Sequence, residues 1–377
     1  MLKPFFLEKV LPFPDKVPGE VFNSASPSFN LLHIIDSLGV GGAEMLVVTL
    51  LKNLRGHNIH LVVLGKPDTL LKELPVACKV TFLNFKTYRD IPKCAFLIRQ
   101  YIKRNRIDIV HSHLYWSNII ARLASPKNIP LYNCIQNISS MASYTANRLS
   151  LYLEKLTYKK RHHIIAVSKA VLDDFDQWVG LKGPSTVLYN IIGDEFFTAA
   201  PKQSFSKENI RLVAVGNLRK QKNYSYFLQA FKSMPDHVSL DIYGVGPLKE
   251  NMVEEITAHD LNIKLCGLQS NMHEVLRNYD AYVMCSTHEG LSLALMEGMS
   301  SGLPAFLSDI PVQRESAESA AVYFDLNEPT DFVKKLLETF NATEKLKKMS
   351  REGIERANLL ARKDKYIQRL QELYNTR

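Results

Sequence analysis

The chain has 377 residues, of which 46% are hydrophobic and 23% charged, with a formal net charge of +9; that balance excludes a disordered, collagen-like or coiled-coil protein. Its length exceeds the roughly 250–300 residues that one hydrophobic core organises, so two domains are expected. The longest clearly apolar run, Met45–Leu51, is seven residues long, against the roughly 18 or more of a bilayer span, so no transmembrane helix is expected.

Residues 1–28 are rich in Pro and Phe and show no period. They read as an irregular extension and lack the continuous apolar core of a cleaved secretory signal. Regular structure is expected from Asn30, where Asn30–Ile35 reads as a buried strand. A glycine-rich turn, Gly39–Glu44, leads into a helix from Met45 that closes near Gly56, and His60–Leu64 is the next strand. Strand, glycine turn, helix and strand at this spacing form a βαβ unit, hence a parallel sheet. The alternation continues with a strand at Ile107–His111, a helix at Asn118–Ala124, a strand at Ile164–Val167, a helix at Ala170–Trp178 and a strand at Thr186–Tyr189. Thr198–Asn209 is polar and reads as a linker. A second series follows: strands at Ile210–Gly216, Val238–Tyr243, Ile263–Cys266, Ala281–Cys285 and Ala305–Leu307, a helix at Tyr224–Met234, and helical sequence from Asp331 onward. The expected architecture is α/β, with two doubly wound, Rossmann-like domains facing a central cleft. Their expected bounds are 1–197 and 210–357, with 198–209 between them and 358–377 as a terminal helix.

The five cysteines, Cys78, Cys94, Cys134, Cys266 and Cys285, are widely spaced and form no CxxC. They read as core residues in a reducing cytoplasm, without disulfides or structural zinc. The charge is uneven. Residues 1–200 hold 24 basic and 15 acidic residues, 201–377 hold 23 of each, and 86–161 alone hold 14 basic against 3 acidic. Such a patch attracts phosphates, whether of nucleic acid, anionic lipid or a phosphorylated substrate. Ile91, Ala95, Ile98 and Ile102 fall at helical spacing within it, as do Leu149, Leu153 and Leu156; both stripes are expected to face a core.

The most informative stretch is Ser286–Glu297, which leaves a strand and enters a helix with Glu289 at the turn and Glu297 eight positions on. Between them the amides of Gly290, Leu291 and Ser292 are expected free at a helix N-terminus, a ready anion site. A carboxylate deeper along the helix suits a diol such as ribose. The residues alone suggest a nucleotide-diphosphate pocket with a glutamate at each end.

This segment closely resembles the Glu-x7-Glu segment of retaining glycosyltransferases of the GT-B fold, family four. The resemblance extends from residue 30 over nearly all the remaining chain. Gly41-Gly42-Ala43-Glu44 resembles the family's first glycine loop. Val167-Ser168-Lys169 and Leu188-Tyr189-Asn190 resemble two further turns. Gly216–Asn223 resembles its G-R-L-x-x-x-K-[GN] segment, and Ile242–Leu248 its glycine-rich strand end. The resemblance implies that Glu289 contacts the donor sugar, Glu297 the ribose and Lys222 the diphosphate leaving group. It implies that His113, of His111-Ser112-His113, lies near the donor sugar while His111 points elsewhere or packs. Gly41 and Gly42 would approach the donor, and Gly267-Leu268 would hold the nucleobase through backbone groups. The chain departs from the family at Asn217, where an arginine is usual; Arg219, or Lys220, is the expected substitute.

The implied reaction is transfer of a sugar from a nucleotide-sugar donor, most simply a UDP-sugar, to a lipid-linked or oligosaccharide acceptor in cell-surface glycan synthesis. A small soluble sugar or sugar phosphate is the alternative acceptor. A non-catalytic nucleotide or nucleic-acid binder leaves the Glu289–Glu297 segment unexplained, and the basic stretch lacks the interleaved aromatics of a single-strand groove, so no nucleic-acid partner is expected. No cofactor and no catalytic metal are implied, and Asp174-Phe175-Asp176 reads as a solvated helix face. The basic faces suit an anionic membrane surface, giving a cytoplasmic protein peripheral to the inner face. The terminal helix is implied to cross back onto the first domain.

Overall fold

The computed structural model describes residues 28–142 and 145–376; the extension expected over 1–28 lies outside the described residues except at its last position. The first domain contains β1 (Asn30–Ile35), α1 (Gly42–Asn53), β2 (Asn58–Val63), β3 (Lys79–Phe82), α2 (Ile91–Arg104), β4 (Ile109–His113), α3 (Tyr115–Ala124), β5 (Leu131–Ile135), α4 (Arg148–Thr157), β6 (His162–Ala166), α5 (Lys169–Trp178) and β7 (Ser185–Val187). The second contains β8 (Ile210–Val215), α6 (Ser225–Phe231), β9 (Val238–Tyr243), α7 (Lys249–Ala258), β10 (Ile263–Gly267), α8 (Met272–Val275), β11 (Ala281–Met284), α9 (Leu293–Ser300), β12 (Ala305–Ser308), α10 (Pro311–Ala317), β13 (Ala321–Phe324), α11 (Pro329–Phe340) and α12 (Thr343–Leu360). The chain ends in α13 (Lys363–Asn375).

Both sheets are parallel and doubly wound, with strand orders β3-β2-β1-β4-β5-β6-β7 and β10-β9-β8-β11-β12-β13. The order reverses between β1 and β4 in one sheet and between β8 and β11 in the other. Ligands of such sheets sit at these reversals, outside the carboxyl ends of the strands. The central strands are buried because helices cover both faces of the sheets; most of their residues are apolar, but β4 also buries His111, Ser112 and His113. Three strands were not expected from the sequence. β5 carries a buried Asn133 inside LYNCI, while β3 and β13 are short edge strands whose residues are mostly half-exposed.

α2 buries Ile91, Ala95, Ile98 and Ile102 as expected. α4 follows its apolar stripe only at Leu153, which is half-buried against the core. Its buried residues are Ser150, Glu154 and Thr157, while Leu149, Tyr152 and Leu156 are 54%, 62% and 52% exposed. The reason is polar: Glu154 pairs with the buried Arg122 of α3, which also donates from Nε to Asn133 Oδ1 at 2.8 Å. A buried charge needs its partner, so this pair sets the helix with Leu149 and Leu156 outward, while Leu153, the middle residue of the stripe, stays half-buried against the core. Asp174 also departs from expectation. It is not merely solvated: it accepts from the Ser139 amide at 2.6 Å, the Ser140 amide at 3.1 Å and the Ser140 hydroxyl, and so ties down the loop after β5.

α13 packs on the first domain. Tyr374 Oη meets His111 Nδ1 at 2.7 Å, and Tyr132 of β5 donates to the Leu373 carbonyl at 2.6 Å. The chain therefore passes between the domains twice, near residue 192 and near residue 361. The Ile192 amide donates to the Ala361 carbonyl at 3.2 Å, joining the two crossings. The expected linker over 198–209 is seated on the second domain: Lys202 pairs with Asp280 at 2.9 Å, and its amide donates to Ser350 Oγ at 2.8 Å. Among the described residues no helix is long and apolar enough to cross a membrane.

Candidate active site

The loops that follow β8 and β11 carry the two principal charged groups. After β8 the chain makes a tight turn over Lys220–Lys222 and leaves it through Asn223 at φ 53°. Asparagine tolerates that left-handed conformation better than most residues. The turn is stitched to the loop after β11: the Thr287 amide donates to the Gln221 carbonyl at 2.9 Å, and Gln221 Nε2 donates to the His288 carbonyl at 2.8 Å. Lys222 Nζ then stands 2.7 Å from Glu289 Oε1, with the two side chains 17% and 8% exposed. Gly216 clears the path, since a Cβ there would lie 2.8 Å from Lys222 Cε. Gly244 lets the end of β9 close onto the same loop: a Cβ there would fall 2.1 Å from the Gly216 carbonyl oxygen.

α9 begins at Leu293, with Ser292 as its N-cap accepting from the Leu295 amide at 3.3 Å. The amides of Gly290, Leu291 and Ser292 donate to no protein group among the described residues. They stand beside the Lys222–Glu289 pair at the positive end of the helix dipole. Glu297 is half-buried on α9, and the loss of water around its carboxyl, with the nearby Glu195 carboxylate, pushes its pKa up to about 7. This acid keeps its proton in the folded state over a pH range where the unfolded chain has lost it. Its stabilising contribution is full below about pH 4.5 and is lost as pH rises through about 7. Glu297→Gln should therefore gain stability over the native chain between pH 5 and pH 7.5, by of order 3 kcal/mol at most. Parallel melting curves at the two pH values test this; an unchanged difference would remove Glu297 from the account.

The first domain meets this corner closely. Ser168 Oγ, the N-cap of α5, donates to the Gly290 carbonyl at 2.7 Å. A Cβ on Gly290 would fall 1.9 Å from the Gln136 carbonyl oxygen. Asn190 Nδ2 donates to Gln136 Oε1 at 2.7 Å. Glu315 of α10 accepts from the Lys169 and Ala170 amides at 2.6 and 2.9 Å and from the Tyr189 hydroxyl at 2.9 Å. The turns at 167–169 and 188–190 thus form a seam between the domains. Gln136 and Glu315 were missed in the sequence, where nothing local marks either one. On the other side of the cleft, Gly42 faces α9, its would-be Cβ 3.4 Å from Leu293 Cδ1.

Gly41, Gly42, Lys222, Glu289, Gly290, Leu291, Ser292 and Glu297 are therefore gathered on the α9 corner. Asn217 and Arg219 are exposed on the loop after β8. Gly267, at φ 72°, accepts from the Gly244 amide at 2.8 Å, and Leu268 beside it is 73% exposed. His113 is not on the cleft wall; it is fully buried, 3.1 Å from His33 Nδ1 through its Nε2. His111 packs, the second of its two expected placements, on the same face as His113. Residues two apart on a strand share a face, and the two imidazoles stack at 4.2 Å.

Two family models match consecutive parts of the chain: "Glycosyltransferase Family 4" over residues 40–196 and "Glycosyl transferases group 1" over 196–356. The chain belongs to the GT-B glycosyltransferases of family four. This glycosyltransferase is 27% identical over 292 residues to an N-acetylgalactosamine-N,N'-diacetylbacillosaminyl-diphospho-undecaprenol 4-alpha-N-acetylgalactosaminyltransferase of Campylobacter jejuni, covering 73% of this chain and 79% of that one. It is 27% identical over 265 residues to a UDP-Gal:alpha-D-GlcNAc-diphosphoundecaprenol alpha-1,3-galactosyltransferase of Escherichia coli, covering 63% and 65%. Among solved structures, Anabaena Alr3699/HepE in complex with UDP and glucose matches with a TM-score of 0.77 at 17% identity, over 93% of this chain and 100% of that one. Both domains of the glycosyltransferase thus have counterparts of the same fold.

Proposed function

We propose that this glycosyltransferase moves a sugar, with retention of anomeric configuration, from a UDP-sugar to a lipid-linked diphosphate acceptor in cell-surface glycan synthesis. The observation that carries the reading is the Lys222–Glu289 pair beside the amides of residues 290–292. Breaking the anomeric C–O bond leaves negative charge on the β-phosphate. Lys222 and the helix terminus supply fixed positive charge where that charge develops. Glu289 positions the sugar, Glu297 accepts from the ribose diol, and the Gly267–Leu268 backbone holds the base. Arg219 takes the role of the arginine absent at Asn217. No metal enters this scheme.

A thermal-shift series with UDP, GDP, ADP and their sugars tests the donor. Stabilisation by UDP and one UDP-sugar is expected, of about 3 kcal/mol at a hundredfold excess over Kd; no shift with any nucleotide would sink the assignment.

The acceptor reading draws support from α4 and its surroundings. Leu149, Tyr152 and Leu156 face outward, with Arg148, Lys155, Lys159 and Lys160 exposed around them. An apolar stripe rimmed by cations suits an anionic bilayer carrying a polyprenyl chain, and the Campylobacter and Escherichia relatives are named for diphospho-undecaprenol substrates. The protein should sediment with phosphatidylglycerol vesicles at low salt, and Leu149→Glu with Leu156→Glu should weaken that binding at least tenfold, since each buried leucine contributes about 1.5–3 kcal/mol. A native chain that stays in the supernatant would favour the soluble-acceptor alternative.

A further inference from the structure

Sugar transfer needs a second substrate, and the strand order of the first sheet limits where it can stand. Two loops of the first domain touch the α9 corner. The loop after β1 does so through Gly42, whose would-be Cβ lies 3.4 Å from Leu293 Cδ1. The loop after β5 does so through the Gln136 carbonyl oxygen, 1.9 Å from a Cβ on Gly290. β4 runs between β1 and β5. Its carboxyl end therefore lies between the two contacts, at the reversal of strand order where ligands of such sheets sit.

That end is strained and firmly held. Leu114, the first residue after β4, has φ 73° and ψ 172°, a conformation that residues other than glycine avoid and that gathers at functional sites. Asp36, directly after β1, fixes the turn: it accepts from the Trp116 amide at 3.3 Å and from the Ser117 amide and hydroxyl at 2.7 and 2.6 Å. The turn presents the half-buried ring of Trp116, with centroids 4.8 Å from Tyr115 and 5.6 Å from Phe85. Its indole N–H donates to no protein group among the described residues. Phe85 is itself fixed, its amide donating to the Leu64 carbonyl at 2.6 Å. The same loop carries Lys86 and Arg89, both exposed and in no ion pair among the described residues.

We propose that Trp116 is the platform on which the diphosphate-bound sugar of the acceptor stacks, with Lys86 and Arg89 receiving the diphosphate. This placement rests on the reading of the acceptor as a lipid-linked diphosphate. A pyranose offers one face of C–H bonds to the negative face of an aromatic ring. The indole N–H is a donor for a sugar hydroxyl, and the two cations match a diphosphate. The order β3-β2-β1-β4 sets the loop after β3 farther from the α9 corner than Trp116. The sugar therefore lies inward, toward Glu289, and the diphosphate and lipid lie outward. Stacking decides which hydroxyl reaches the donor, so Trp116 positions the acceptor and leaves donor binding alone.

Tryptophan emission tests the placement, because the chain's two tryptophans are Trp116 and Trp178. In Trp178→Phe all of that emission comes from Trp116. The probes are farnesyl diphosphate and its conjugates with N-acetylglucosamine, galactose and N-acetylgalactosamine. At least one conjugate is expected to change the emission and to bind about tenfold or more tighter than farnesyl diphosphate alone. Lys86→Ala with Arg89→Ala should weaken that conjugate by about tenfold or more and leave the thermal shift by UDP unchanged. In transfer assays Trp116→Ala should raise the acceptor KM about 30-fold, the effect of removing an aromatic anchor, with the donor KM within about twofold. If Trp116→Ala does not fold, the emission titration and the lysine–arginine variant, which keep the ring, still decide. An unchanged acceptor KM in folded Trp116→Ala overturns the proposal, as does unchanged conjugate binding in the lysine–arginine variant. Melting curves with the same conjugates separate the placement from the reading beneath it. A conjugate that stabilises the chain without altering Trp116 emission overturns the placement alone. Conjugates that do neither overturn the lipid-linked acceptor and the placement with it.

Discussion

Glu289→Gln is expected to reduce sugar transfer by about a thousandfold or more, equivalent to roughly 4 kcal/mol of transition-state stabilisation. The amide has nearly the shape of the carboxylate and can still accept from Lys222 Nζ, now 2.7 Å from Glu289 Oε1. What it lacks is charge, both to hold the sugar and to balance the lysine in a site where each side chain is less than one-fifth exposed. The fold should survive, because Gln221 and Thr287 still stitch the two loops through backbone partners. Initial rates with UDP-sugar and acceptor, beside circular dichroism and a melting curve, separate the two effects. A folded variant within a few-fold of native activity would refute the role given to Glu289. Lys222→Met should show a similar loss, and the double variant little more than either single one, as expected for groups that act as a unit.

The second large effect is expected from a single methyl group. Gly290→Ala places a Cβ 1.9 Å from the Gln136 carbonyl oxygen and 3.2 Å from Asn137 Cα. Those are backbone atoms of the other domain and cannot swing aside. Something must give: either the seam through Ser168 opens, or the loop carrying Glu289 shifts. A displacement of about 1 Å at reacting groups costs on the order of a hundredfold in rate, and that loss in kcat/KM is expected here. Solution scattering should show a wider particle if the seam opens, and an unchanged one if the loop moves. Native kinetics from the alanine variant would mean that the domains do not work in this closed arrangement.

Much of the architecture was legible because it is written locally. Asn30–Ile35, the glycine turn at 39–44 and the helix after it follow from short-range pattern alone, and so does the strand-to-helix turn at 286–297. What was not legible depends on pairings distant in sequence. The partnership of His33 with His111 and His113 requires the register of β1 on β4, which the period of either strand does not contain. The α4 stripe was assigned whole to the core, but only Leu153 packs there, and Leu149 and Leu156 face outward. Helical spacing tells which residues share a face, and the Arg122–Glu154 pair, 32 residues apart, decides where that face points. Gln136 and Glu315 carry no motif; they matter through what Gly290 and α5 leave room for.

The two passages of the chain between the domains bear on how the molecule can move. They run side by side: Ile192 is hydrogen-bonded to Ala361, and two residues further on Lys363 reaches Asp194. A body fastened at two adjacent points behaves like a book bound along a short spine. It has one easy swing and resists twisting and sliding. The cleft can open for substrate and return to the same facing of Gly290 on Gln136 each time, without any residue in the cleft having to steer it. The same binding means that a single protease cut at either passage would leave the two halves attached through the other.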